Sequence, residues 1–391
     1  MKSQLLRRSV ILSTAVIAFA SCGKDENTLV NSPKNAFRQP MAIDQLKDTT
    51  NYVNAFTDNG VSTVDMTIGN NVYQMFRAID AYGKSPASSG NPISAEVLNN
   101  MFTNTNNPYS GNFANLNTAA EKMSAFTGIN GENRAAVIDT LELWFEKLAA
   151  ASAFAGQTGG EGTAGILTTA TGSRYLVDDK GIEWIQVILK ALIGAYQLDH
   201  ISNTLLVDRS LDADNTKTLA GKNYSQLEQN WDQAYATLTT RPVYGSAATN
   251  QSSGESFMGT YIWEYNKDAF PSTHINFLKG RGAIVNGDRA LLAEQANKLR
   301  EQLELTMAKS AVAYLSKFIN NVGIDNAVAA HAMSEGMGFI YGLRFCKIKG
   351  GTASFSDDVL NDIGFYGTGI WSLTAQDITR ASNKIKSQFN L

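Results

Sequence analysis

His331 and Glu335 stand four residues apart in the run Asn326-Ala-Val-Ala-Ala-His-Ala-Met-Ser-Glu335. At that spacing two side chains share one face of a helix. Glu335 also lines up with Val328, Ala332, Phe339 and Cys346, an apolar row, so its carboxylate must be neutral, hydrogen-bonded or paired. Two readings stay open. The pair is a candidate metal ligand or acid/base couple, which needs both groups converging on one point. Otherwise it is a His–Glu hydrogen bond that joins two helices.

A second polar set interrupts an otherwise apolar stretch, 181–207. Glu183, Gln186, Lys190, Gln197 and His200 fall on one stripe there. Inside a bundle such a stripe lines a cavity, as cofactor sites between helices do. The competing reading is the solvent-facing strip of a mostly buried helix. Glu228 and Asp232, also spaced i and i+4, read as a solvated face because no histidine stands near them. Lys279, Arg281 and Arg289 surround Gly280, Gly282 and Gly287 and read as a basic surface turn that could dock an anion such as a haem propionate or a phosphate. Gly160-Glu-Gly-Thr-Ala-Gly165 spells a dinucleotide fingerprint. That chemistry needs a strand before the glycines and a helix after them. An alanine-rich helix precedes and Thr168-Thr-Ala-Thr-Gly172 follows, so the stretch reads as a flexible interhelical loop. No Walker A motif, Gly-x-Ser-x-Gly elbow or His-Glu-x-x-His pair occurs.

The elements that must position these residues are helical. Helical apolar periods recur over 70–84, 94–103, 117–126 and 132–154, then over 181–207, 224–239 and 271–284, and finally over 288–321, 325–347 and 374–389. The 181–207 stretch is apolar almost all round, which predicts a central buried helix. The five polar residues of its stripe, with Asp199, rule out a membrane span. No sustained alternation of period two and no Asn-Gly hairpin between strand-like runs is seen. The expected fold is all-α, a large helical bundle or two packed bundles.

The chain has 391 residues, 43% apolar and 18% charged, with three His and two Cys. That is a globular composition, and a net charge of −3 argues against nucleic acid. Residues 1–21 carry a basic start, Lys2, Arg7 and Arg8, and an apolar stretch from Val10 to Ala20, the order of a secretory signal peptide. Phe19-Ala-Ser-Cys22 resembles a bacterial lipobox, which implies cleavage before Cys22 and lipidation of its sulfur. Gly23-Lys-Asp-Glu26 resembles the surface-export signal of Bacteroidetes lipoproteins. Removing residues 1–21 leaves 30 basic and 36 acidic residues, so acyl chains rather than charge would hold the body to the membrane. Residues 22–45 read as the lipidated cysteine and a flexible tether, and 46–391 as the body. Cys346, left without a partner, reads as a small buried hydrophobe.

Five stretches carry a family resemblance: Leu148-Ala-Ala-Ala-Ser152, Tyr175-Leu-Val-Asp-Asp-Lys-Gly-Ile-Glu183, Trp231-Asp-Gln-Ala-Tyr235, Phe277-Leu-Lys-Gly-Arg-Gly-Ala-Ile284 and His331-Ala-Met-Ser-Glu335. In this order they resemble an uncharacterised Bacteroidetes lipoprotein family, domain of unknown function 4856, from about residue 50 to the C-terminus. The resemblance implies a helical, distantly imelysin-like body encoded near imelysins and TonB-dependent receptors in iron- or haem-uptake loci. It supplies no activity. The Gly-x-His-x-x-Glu motif of imelysins is missing, since none of His200, His274 or His331 is followed by Glu at the third position.

The expectation is a cell-envelope lipoprotein of the outer membrane, surface-exposed or facing the periplasm. It would act as a non-enzymatic binding component in iron or haem uptake, with a TonB-dependent receptor or an imelysin-like lipoprotein as partner. Iron or haem is the cofactor that this context suggests. Two alternatives stand beside it: an imelysin-like metal-dependent peptidase with an altered site, and a glycan-binding partner of a TonB-dependent transporter. The five Trp sit mostly within helical patterns, which counts against the last.

Overall fold

Side-chain caps mark where the main helices begin. Ser94, Asn133, Asp288 and Asp325 each accept a backbone N–H of the first turn, and Ser225 and Thr374 close reciprocal boxes with Glu228 and Asp377. The computed structural model describes residues 38–244 and 255–391. The signal peptide, Cys22 and the first part of the tether lie outside the described residues.

After a 3-10 turn at Ile43–Gln45 come α1 (Tyr52–Ala55) and a hairpin of β1 (Thr57–Asp58) with β2 (Val61–Ser62). Then follow α2 (Thr67–Ser89), α3 (Ala95–Thr103), a 3-10 segment at Gly111–Thr118, α4 (Met123–Phe126) and α5 (Arg134–Ser152). A second antiparallel hairpin, β3 (Gly165–Thr168) with β4 (Arg174–Val177), leads into α6 (Trp184–Leu192). This helix runs on in π-helical form over Ile193–Leu198 and Ile201–Leu205. The remainder is α7 (Asp208–Leu211), α8 (Gln226–Leu238), α9 (Met258–Tyr265), α10 (Ala269–Asn286), α11 (Arg289–Ile319), α12 (Asn326–Gly342), α13 (Ala353–Asp362) and α14 (Ala375–Phe389). The fold is all-α, and residues 38 onward belong to one compact unit rather than two bundles. Among the described residues no helix is long and apolar enough to cross a membrane.

The core is built on α6 and α12. Every residue of α6 is buried, and α12 packs between it and α11. The two inner helices close to backbone contact because glycines face each other. A Cβ on Gly338 would lie 2.5 Å from the Val187 carbonyl oxygen, and one on Gly194 would lie 2.5 Å from Gly342 Cα. This close approach sets the polar side chains of the two helices within reach of one another.

Several expectations are corrected. Residues 38–45 are docked, not a free tether. The Arg38 guanidinium donates to both Glu228 oxygens at 2.9 and 2.8 Å, and Met41 exchanges two hydrogen bonds of 2.9 Å with the Asn286 amide. The folded body therefore begins before residue 46. An Asn-Gly hairpin does exist: Asn59 and Gly60 have φ of 49° and 77°, as a type I′ turn requires. Its strands are two residues long, too short to show alternation. The 117–126 stretch divides into a 3-10 segment and a single turn of helix. Besides the single turns α1 and α7, two longer helices, α9 and α13, form where no helical period stands out. The former is rich in aromatic and β-branched residues of modest helix propensity and forms because it packs on α10 and α11. Gly160–Gly165 is an ordered turn, bridged from Gly160 to Thr163 and running into β3, so no helix N-terminus meets it.

Candidate functional site

Glu183 is the N-cap of α6, and its backbone N–H donates to the Ser334 hydroxyl on α12 at 2.8 Å. That bond fixes its carboxylate against the same face of α12 that carries His331 and Glu335. Glu183 Oε2 lies 2.6 Å from His331 Nδ1, so the ring donates through Nδ1. His331 Nε2 stands 3.6 Å from Glu335 Oε2, too far for a hydrogen bond. One helical turn deeper, Lys190 Nζ is 2.7 Å from Glu335 Oε1 and donates to Gln186 Oε1 at 2.5 Å. Gln186 in turn approaches Glu183 Oε1 at 3.4 Å. The polar groups thus form a chain across α6 and α12, from His331 through Glu183, Gln186 and Lys190 to Glu335.

Aromatic rings wall these groups. Tyr175, on β4, stacks on the His331 imidazole with centroids 4.1 Å apart and planes 18° from parallel. Tyr261 donates to Glu335 Oε1 at 3.3 Å, and the Tyr314 ring packs edge-on against Tyr261, with centroids 6.2 Å apart. Burial alone would push the Glu335 carboxyl up, but Lys190, His331 and the hydrogen bonds together outweigh it and hold the pKa below the usual value. Glu335 is therefore an anion in a site of low dielectric, partnered on each side.

The predicted stripe splits. Glu183, Gln186 and Lys190 join His331 and Glu335, but Gln197 and His200 do not. Gln197 donates to the Thr237 carbonyl at 2.8 Å and accepts from Met258 N–H at 3.0 Å, tying α6 to α8 and α9. His200 meets Gln233 through Nε2 at 3.0 Å and packs edge-on against Phe126. Burial pushes its pKa down to about 3, so the ring stays neutral. The cause of the split is the π-helical stretch after Leu192, whose wider turn rotates the later residues off the stripe. The whole stripe is buried, so it is not a solvent-facing strip either.

Glu228 and Asp232 are not a solvated face. Both are fully buried around Arg281, whose Nη1 is 2.9 Å from Glu228 Oε1 and whose Nε is 3.0 Å from Asp232 Oδ1. Tyr52 donates to Asp232 at 2.8 Å. Arg281 lies within α10 rather than on a surface turn, and Arg289 is buried against the Leu211 carbonyl and Asp212. The cluster is enclosed, and it fastens the N-terminal segment to α8 and α10. Cys346 is fully buried and its thiol is pushed up, so it is a packing residue.

Among the described residues, the end of this polar chain formed by His331, Glu183 and Gln186 lines a cleft. The cleft is about 490 Å³ in volume, with Lys84, Arg174 and Tyr175 around it. Sequence reasoning misses Tyr175, Arg174 and Tyr314 as site residues. Tyr175 opens one of the family stretches, whereas Tyr314 enters from α11 and only the tertiary fold brings it in. Among the described residues no group of three or more His, Cys, Asp and Glu is arranged to hold a metal ion. Lys190 occupies the place beside Glu335 that a cation would take. What the cleft offers is a single imidazole, oriented through Nδ1 by a carboxylate, with Nε2 3.6 Å from Glu335 Oε2 and cationic side chains nearby.

No curated protein and no solved structure matches the chain. Residues 50–391 match the family described as a domain of unknown function, DUF4856, and the chain belongs to that family.

Proposed function

We propose that the protein is a non-enzymatic binding component of the cell envelope, anchored through lipidated Cys22, and that it takes up haem in the cleft over His331. The observation that carries this reading is the state of the two ring nitrogens. Nδ1 is committed to Glu183 at 2.6 Å while Nε2 has no hydrogen bond. A carboxylate behind the distal nitrogen is the arrangement that orients and strengthens a histidine ligand. A bare ion would need further ligands, and the described residues supply no cluster for one. Haem brings four nitrogens of its own and asks the protein for an axial ligand. Lys84 and Arg174 at the cleft would face its propionates. Bound there, haem would supply iron as cargo; His331 holds it, Glu183 fixes the ring, and Tyr175 covers one ring face. Partnership with a TonB-dependent receptor or an imelysin-like lipoprotein is the setting in which such cargo would pass on.

The test is a haem titration of the full chain followed by its Soret band. A shift that saturates at micromolar haem, and weakens at least about tenfold in His331→Ala, is expected. An unshifted band, or a shift indifferent to His331→Ala, sinks the proposal.

A further inference from the structure

A second cleft, of about 670 Å³, lies on the other side of the α6 N-terminus between α5, the ends of α12 and α13, and the turn at Phe365 and Tyr366. It shares no lining residue with the His331 cleft. Its walls carry Trp144, Trp184, Tyr341 and Phe365, and with them stand Leu143 and Tyr366, 49% and 54% exposed. Large apolar side chains so open to water are few among the described residues, and two of them flank this one opening.

The charges around the cleft decide what it takes. A cationic ligand would seek the ring faces, but two are already covered by the protein's own cations. Lys147 Nζ sits 5.0 Å over Trp184, and the Arg344 guanidinium sits 3.7 Å over Tyr341. An anionic ligand would seek free cations. Arg344 is paired with Asp357 at 2.7 Å, and the lining holds four carboxylates against three cations. Neither sign is concentrated. What remains is a mixture of hydrogen-bond donors and acceptors beside aromatic rings: Lys147 and Lys180 as donors, Asp179 and Glu132 as acceptors. Neutral hydroxyl groups match such a mixture, because each can donate and accept. The half-exposed ring of Tyr366, steadied by its own hydrogen bond to Asp357 at 2.6 Å, suits the C–H face of a pyranose ring.

We infer that this cleft is a binding site for a neutral saccharide of two or three rings, independent of the His331 cleft. The volume is within the range of pockets that enclose ligands of that size.

Trp144 and Trp184 give the experiment its signal. Tryptophan fluorescence of the full chain is titrated with maltotriose, cellotriose, xylotriose and chitotriose, each with a separate titration of Tyr366→Ala, Tyr366→Phe and His331→Ala. Saturable binding of at least one sugar with Kd below about 1 mM is expected. It should weaken at least about tenfold in Tyr366→Ala, and change less than about threefold in Tyr366→Phe, which keeps the ring, and in His331→Ala. Failure of all four sugars overturns the inference, as does binding that Tyr366→Ala leaves unchanged. Loss in His331→Ala alone would place the sugar in the other cleft and also overturn it. The haem titration reads a different site and a different band, so the two proposals stand or fall separately.

Discussion

Lys190 Nζ lies 2.7 Å from Glu335 Oε1, with both side chains more than nine-tenths buried, on the two helices that form the centre of the fold. Each charge justifies the other, since either alone would face a large desolvation cost. Lys190→Met should therefore cost about 3–5 kcal/mol, the range for breaking a buried pair. In Lys190→Met/Glu335→Leu, where no charge is stranded, most of that loss should return. Urea unfolding followed by circular dichroism measures both. Equal stability of the single and double variants would contradict a large cost for the stranded Glu335 carboxylate.

Arg281 holds two carboxylates at once and has no exposed surface. Burial pushes the Asp232 carboxyl up to about 6 even against the pull of Arg281. Arg281→Met leaves Glu228 with Arg38 and the Ser225 backbone N–H, and Asp232 with only the Tyr52 hydroxyl. A loss of about 3–5 kcal/mol is expected, read as a fall in the urea midpoint. A loss under about 1 kcal/mol, the level of a surface ion pair, would contradict the enclosure of this cluster.

The helical body is legible from periodicity because α5, α6, α11 and α12 are long and carry apolar rows. The same rows place His331 beside Glu335 and contain two of the five family stretches, Leu148–Ser152 on α5 and His331–Glu335 on α12. Long-range partnership is not legible. Glu228 and Arg281 are 53 positions apart, and neither sits in an obviously apolar context, so each reads as surface until α8 and α10 pack together. Gln197 and His200 leave the expected stripe for a local reason. A straight helix at 3.6 residues per turn keeps a stripe in line, and the π-helical stretch does not. The Asn59-Gly60 turn escapes a pattern search because its strands are too short to set a pattern.

Two glycines on α12 should respond to alanine in opposite directions. A methyl at Gly336 would meet Tyr314 Cβ at 3.4 Å, an ordinary contact, whereas one at Gly338 would press on the Val187 carbonyl and on Lys190 Cβ at 2.5 and 2.6 Å. Gly336→Ala should stabilise by about 0.4–1 kcal/mol through the unfolded chain. Gly338→Ala should cost about 1–3 kcal/mol as α12 is pushed off α6. It should also weaken haem binding, since Glu183 and His331 sit on the two helices being separated. Thermal unfolding ranks the variants, and the same sign for both would contradict the close crossing.

Glu255 provides the pH prediction. Its carboxylate accepts from Thr239 Oγ1 at 2.9 Å and has Arg241 Nε at 3.5 Å, yet burial pushes its pKa from 4.5 up to about 7. A folded-state pKa above the unfolded one means that the folded state holds the proton more tightly. The stabilisation is complete below about pH 4.5 and is lost as pH rises towards 7. Through that window the unfolded chain ionises first, at a cost of up to about 1.4 kcal/mol per pH unit. Glu255→Gln cannot ionise, so it should lose this slope. Its stability relative to the parent should rise between pH 4.5 and 7 and stay level above pH 8. Urea midpoints across pH 4–8 measure the difference. A parent-minus-variant difference independent of pH would mean that Glu255 titrates in the folded protein as it does in water, and that its enclosure by α8 and α9 is looser than the geometry shows.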